Sequence, residues 1–181
     1  MRVSVFGGSQ PLAGEPAYDQ ARRLGELLAK AGHTILNGGY IGTMEAVSRG
    51  AHEAGGHVIG VTCDAIEAWR PVNPNRWIGE EIRFATQRER LFALIENCDA
   101  AIALPGGVGT LAEVAEMWSN LQTGSIESRP LILVGPEWRA TIEQFLASLG
   151  DYVPLQCQDL LILVDDVDQA VQIINERQLE T

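Results

Sequence analysis

Short, almost unbroken apolar runs alternate with longer amphipathic segments along this chain, and that alternation constrains the fold more than any other feature. Runs at 2–6 (RVSVF), 33–36, 57–61, 100–104, 131–134 and 161–164 read as strands. Between them, 16–31, 42–54, 86–97, 110–121, 138–149 and 167–176 carry helical spacing, the first with Leu24, Leu27 and Leu28 on one face and Gly32 as its stop. Residues 64–80, with Trp69, Pro71, Asn73, Pro74, Asn75 and Trp77, read as a loop or short helical insertion. Strands that are apolar throughout have no solvent face, so they belong to a parallel sheet covered on both sides. The expectation is an α/β protein: one doubly wound, Rossmann-like domain over 1–181, with a mostly parallel sheet and helices on both faces. No linker, repeat or low-complexity tract interrupts it.

In such a sheet ligands bind beyond the carboxyl ends of the strands. The glycines gather at those ends: Gly7-Gly8 after the first strand, Gly38-Gly39 after the second, and Gly106, Gly107 and Gly109 after the run that ends at Leu104. Right-handed crossovers bring these loops to one edge. The third cluster lies in ALPGGVGTLAEVAEMW, residues 103–118, where glycine gives way to Thr110 and then to acid at Glu113 and Glu116. Two readings fit. Thr110-Leu111-Ala112-Glu113 matches a capping box, with Thr at the N-cap and Glu three residues on. Alternatively, glycine lets backbone N–H groups turn towards an anion at a helix N-terminus, where the dipole favours negative charge. Two carboxylates three residues apart then share a face and suit cleavage through an oxocarbenium-like transition state.

Composition removes the more familiar phosphate chemistries. Lys30 is the only lysine, so a Walker A loop, which needs Gly-Lys-Ser/Thr, is absent. Lys30 also falls at the far end of the first helix, away from the ligand edge, so a pyridoxal Schiff base is rejected. The first strand leads into GGSQPLAG rather than GxGxxG, and the second ends in Asn37 rather than an acid, which argues against a dinucleotide. A net charge of −11 argues against a nucleic-acid surface while leaving room for a small phosphorylated ligand. No apolar run reaches the ~18–20 residues of a membrane span, and MRVSVFGGS begins directly as a strand, so a cytoplasmic protein is expected. Cys63, Cys98 and Cys157 form no CxxC and read as structural. His33, His52 and His57 lack metal-ligand spacing, so no metal site is expected. Met44, Met117 and Trp118 read as core or interface residues, Arg88 as a solvated helix face, and Trp69 and Trp77 as candidates to cover a base.

LPGGVGTLAE at 104–113 resembles the PGGxGTxxE signature of the LOG proteins, the cytokinin-activating phosphoribohydrolases also called lysine decarboxylase-like. VFGGS at 5–9 is similar to their VFCGSS. Pro16, Tyr18, Ala21, Leu24, Gly25, Leu28, Ala29 and Gly32 reproduce their first helix, and NGGYIGTMEAVSRGA at 37–51 resembles their GGGxxGLMG loop and helix. QRERLFALIENCDAAIALPGG aligns without a gap with MHERKxxMxxxSDAFIALPGG. The resemblance covers about residues 3–135. It departs at Leu91, where the family has Lys, at Gly8-Ser9-Gln10, and at Thr43-Met44-Glu45. These departures resemble a neighbouring branch that includes molybdenum-cofactor carriers.

The resemblance implies hydrolysis of the N-glycosidic bond of a nucleoside 5′-monophosphate to free base and ribose 5-phosphate. The alternative is a protein that binds or carries a nucleotide or molybdopterin-type cofactor in the same pocket without turnover. It also implies a homodimer with the site near its interface, and no required cofactor. Phosphate is expected at Gly8, Ser9, Gly38, Gly39, Gly42, Thr43, Gly106, Gly107, Gly109 and Thr110. Arg90 is expected to orient the ribose phosphate or balance the acids. Glu113 is expected to anchor ribose hydroxyls or stabilise the developing cation, and Glu116 to assist water.

Overall fold

The computed structural model of the protein describes residues 1–179; Glu180 and Thr181, included in the expected domain, lie outside the described residues. Seven strands form one sheet: β1 Arg2–Phe6, β2 Thr34–Asn37, β3 Val58–Cys63, β4 Glu80–Phe84, β5 Ala100–Ala103, β6 Leu131–Val134 and β7 Leu161–Val164, in the order β4-β3-β2-β1-β5-β6-β7. All neighbouring pairs are parallel. The helices are α1 Pro16–Lys30, α2 Thr43–Glu53, α3 Asp64–Trp69, α4 Gln87–Glu96, α5 Val108–Thr123, α6 Pro136–Leu149, α7 Leu155–Gln158 and α8 Val167–Leu179, with a 3₁₀ turn at Gly150–Tyr152.

Side chains alternate across each strand, and here both faces are apolar. Val3, Val5, Ile35, Ala100, Ile102, Ile132 and Val134 pack with Leu24 and Leu28 of α1, Val47 of α2 and Ile174 of α8. Phe6, Leu36, Ala101, Ala103, Leu131 and Leu133 pack with Leu94 of α4, Val114 and Met117 of α5, and Trp138 and Ile142 of α6. This is the doubly wound sheet expected from the apolar runs. The chain runs outwards from β1 to β4, returns to place β5 on the other side of β1, and then runs outwards again. The order therefore reverses between β1 and β5, and a crevice opens at their carboxyl ends.

α1 and α2 touch backbone to backbone. A methyl added at Gly25 would lie 2.0 Å from the Val47 carbonyl oxygen, and one at Gly50 would lie 1.9 Å from that of Arg22. Arg22 of α1 binds Glu53 across this contact, and Arg49, one turn before Glu53 on α2, binds the same carboxylate.

The structure differs from the sequence expectation in several places. β4 was not expected: Glu80, Glu81 and Arg83 hide its strand pattern, and it tolerates them because it is an edge strand, largely exposed. Residues 64–69 do form a short helical insertion, α3, followed by an irregular segment to β4, as the sequence suggests. α5 begins at Val108 rather than at Thr110, and a further turn and helix occupy 150–158.

Candidate functional site

The three glycine loops meet at the β1/β5 crevice. The Gly8 N–H donates to the Pro105 carbonyl at 3.1 Å, and the Thr43 N–H donates to the Gly8 carbonyl at 2.9 Å. Gly8 thus joins the loop that starts α5 to the loop that starts α2. Gly42 has φ +72° and sits against the next residue along, since an added methyl would be 2.7 Å from the Ser9 Cα. Both the dihedral and the contact require glycine there. Neither α2 nor α5 has a side-chain cap. Two helices therefore direct first-turn N–H groups and the positive ends of their dipoles at one crevice. Gly107 and Gly109 border open space, whereas Thr43 and Thr110 are buried.

The capping-box reading of Thr110 and Glu113 is corrected here. Gly107, in an extended conformation, is the N-cap, and the Leu111 N–H reaches back to its carbonyl at 3.0 Å. Thr110 is therefore the third helical residue, with its Oγ1 against Gly106. Glu113 lies a turn further on, where it cannot reach the helix start.

Glu113 instead faces Arg90. Their nearest charged atoms are 3.8 Å apart, with side-chain exposures of 13% and 9%. α4 delivers Arg90 from its first turn. Its Nε donates to the Val61 carbonyl at 2.8 Å, and its guanidinium stands 5.8 Å from the Tyr40 ring centre. Tyr40 is itself fixed, accepting from the Cys63 N–H and donating to the Cys63 carbonyl. Gly38 makes room for Arg90: an added methyl would lie 1.8 Å from Nη2. Gly39 is held by the side chains of Asn37 and Asn75. Burial raises the Glu113 pKa to about 7, with the Arg90 charge pulling the other way. A carboxyl that changes charge near neutrality, inside a cleft, is a group able to hold or release a proton during chemistry.

Gly8, Ser9, Gly38, Gly39, Gly42, Thr43, Gly106, Gly107, Gly109, Thr110, Arg90 and Glu113 thus all line or support one crevice. Glu116 is held one turn beyond, accepting from the Asn120 side chain at 3.1 Å. Arg70 was missed by the sequence reading. It follows α3, and its Nη1 donates to the Ser9 hydroxyl at 3.2 Å. No motif announces it; only the path of the chain after β3 brings it there. Trp69, beside it, is exposed, whereas the Trp77 ring packs on His52, Arg49 and Arg76. Arg88 stacks on Phe92 at the surface.

Among the described residues, no group of three His, Cys, Asp or Glu is arranged to hold a metal ion and no helix is long and apolar enough to cross a membrane. Lys30 pairs with Glu26 at the end of α1. A separate hollow of about 820 Å³ opens at the opposite edge of the sheet, near Asp99, Arg129 and Asp159. None of the glycine loops reaches it.

Residues 44–174 match a protein family described as possible lysine decarboxylase. The cytokinin riboside 5′-monophosphate phosphoribohydrolase LOG5 of Arabidopsis thaliana is 37% identical over 134 residues, 74% of this chain and 58% of that protein. The chain thus spans little more than half the length of that relative. The probable cytokinin riboside 5′-monophosphate phosphoribohydrolase LOGL9 of Oryza sativa subsp. japonica is 35% identical over 97% of this chain and 78% of its own length. Among solved structures, a Moco carrier protein of Chlamydomonas reinhardtii superposes with a TM-score of 0.69 at 26% identity, covering 99% of this chain and 98% of that one.

Proposed function

The chain belongs to the possible-lysine-decarboxylase, or LOG, family, and on that premise we propose that it hydrolyses the N-glycosidic bond of a nucleoside 5′-monophosphate. The observation that carries this reading is the Arg90–Glu113 pair, with Glu113 on α5 and Arg90 against Gly38, beside two uncapped helix N-termini. The helix N-termini suit the phosphate, and the acid suits the sugar. Decarboxylation of lysine through pyridoxal finds no support, because Lys30 stands at the wrong edge of the sheet.

In the proposed reaction the phosphate lies against the first-turn N–H groups beside Gly107, Gly109 and Thr110. The ribose then meets Glu113. As the C1′–N bond breaks, its electron pair leaves with the base and positive charge grows on C1′ and the ring oxygen. Ionised Glu113 stabilises that charge, and Arg90 keeps the carboxylate in place. Water adds to C1′ and gives its proton to Glu116, which the Asn120 amide orients, and the departing base takes up a proton from solvent. The products are free base and ribose 5-phosphate, and no further cofactor is invoked.

The reading includes a homodimer, supported by exposed Leu12, Ile41, Val108 and Leu111 around the crevice. Light scattering coupled to size exclusion checks it, and a turning-over monomer overturns that part. It also includes a cytoplasmic setting, supported by three buried free cysteines.

The test is incubation with AMP, IMP, GMP and CMP, followed by chromatography of free base and ribose 5-phosphate. Release from at least one is expected; release from none overturns the enzyme. A second reading, a nucleotide or pterin carrier, draws on the Moco carrier likeness. It predicts that a bound nucleotide or pterin raises the melting temperature without any product being formed.

A further inference from the structure

Two arginines border the glycine loops, and only one has its charge matched. Arg90 faces Glu113 and bonds the Val61 carbonyl. Arg70 has no carboxylate within ion-pair distance among the described residues. Its Nε is shut off from water without a hydrogen-bond partner. Its Nη1 binds the Ser9 hydroxyl, and its guanidinium lies 5.7 Å from the ring centre of Trp69. A buried N–H left unmade is costly, and a guanidinium holds two or more donors in a fixed plane that matches a phosphate oxygen pair. Ser9 lies directly against Gly42, where α2 begins uncapped.

We propose that Arg70 is a ligand-binding residue that, with Ser9 and the amino end of α2, takes the outer oxygens of the phosphate seated on the amino end of α5, leaving Arg90 to serve Glu113. This deepens the reading of the crevice as a nucleoside-monophosphate site and rests on it. The two arginines then divide the work: one sets affinity for the anion, the other the state of the acid. A consequence is that phosphate-free nucleosides gain nothing from Arg70.

The experiment compares the parent protein with Arg70→Gln and Arg70→Lys. Inorganic phosphate is the probe in a thermal-shift titration, and AMP and adenosine are the substrates in base-release kinetics. In Arg70→Gln the KM for AMP is expected to rise about 10- to 100-fold, the scale of a lost charge-assisted hydrogen bond, with kcat within a few-fold of the parent. Stabilisation by phosphate is expected to be lost, and adenosine cleavage to stay unchanged. Arg70→Lys is expected to recover part of the phosphate response, and it serves as the reporter if the Gln variant fails to fold. Parent-like phosphate stabilisation in Arg70→Gln overturns the proposal, as does a parent that phosphate does not stabilise. If phosphate stabilises the parent but not the variant while neither releases base, Arg70 is upheld and the hydrolase reading alone falls.

Discussion

Two tetrapeptides of one form, Thr86-Gln87-Arg88-Glu89 and Thr110-Leu111-Ala112-Glu113, stand near the starts of neighbouring helices α4 and α5. At α4 the pattern closes on itself. The Thr86 hydroxyl accepts from the Glu89 N–H, and the Glu89 carboxylate accepts from the Thr86 N–H. At α5 the helix has already begun two residues earlier, so Thr110 caps nothing and Glu113 turns inwards to Arg90. The two glutamates respond in opposite directions. Bonds to Thr86 hold the Glu89 pKa below its ordinary value, while burial raises that of Glu113 to about 7. Where glycine precedes the pattern, the helix starts early, its N–H groups stay open and the acid is released for another task. Where Ala85 precedes it, the acid is consumed by the helix itself.

The sharpest way to break the contrast is Glu113→Gln. Base release is expected to fall by about 10²–10³-fold, the scale of losing one electrostatic stabiliser of a transition state, with the sheet unaffected by circular dichroism. Glu89→Gln is expected to leave turnover near the parent value.

Second comes the pH dependence. Below the ordinary carboxylate pKa, Glu113 is protonated whether the chain is folded or not and has no effect on stability. As pH rises towards about 7 the unfolded chain ionises first, so the folded state loses stability until Glu113 ionises too. The loss approaches about 3 kcal/mol. Urea midpoints of Glu113→Gln and the parent are expected to coincide near the acid end and to separate in favour of the variant at pH 8. The ionised form is the one proposed to act, so kcat is expected to rise with pH through about 7.

The caps supply a third test. Thr86→Ala is expected to cost about 1 kcal/mol, as lost N-caps do, and Thr110→Ser much less because its hydroxyl caps no helix; chemical denaturation of both measures the difference. The smallest effect belongs to Gly109→Ala. Its added methyl meets nothing within 4 Å, so stability is expected to rise by about 0.5 kcal/mol while nucleotide affinity falls, because the methyl enters the space left for the ligand. A variant that gains stability and keeps its affinity would place the phosphate elsewhere.

These residues also show how far the sequence could be read. β1, β2, β5 and β6 were legible because a strand buried on both faces has no choice but to be apolar throughout. β4 was not, because an edge strand that meets solvent is free to carry Glu80, Glu81 and Arg83. The glycine loops were legible as loops at one edge of the sheet, and Arg90 and Glu113 through the family resemblance. Whether Thr110 began a helix or sat inside one was not legible, since the answer depends on the extended backbone at Gly107. Arg70 was invisible for a different reason: it is far from Ser9 in the chain, and a hydrogen bond across that separation leaves no spacing to detect.

The close seating of α1 on α2 through Gly25 and Gly50 carries a thermodynamic consequence. With its flank pinned by carbonyl oxygens, α2 has little freedom to retreat, and its open amino end keeps its aim whether or not a ligand is present. An anion arriving there finds donors that need no rearrangement, so its association is expected to be enthalpy-led, with a small heat-capacity change by calorimetry. Replacing Gly50 by a larger residue would push the two helices apart and convert that rigid receptor into one that must be ordered at every encounter.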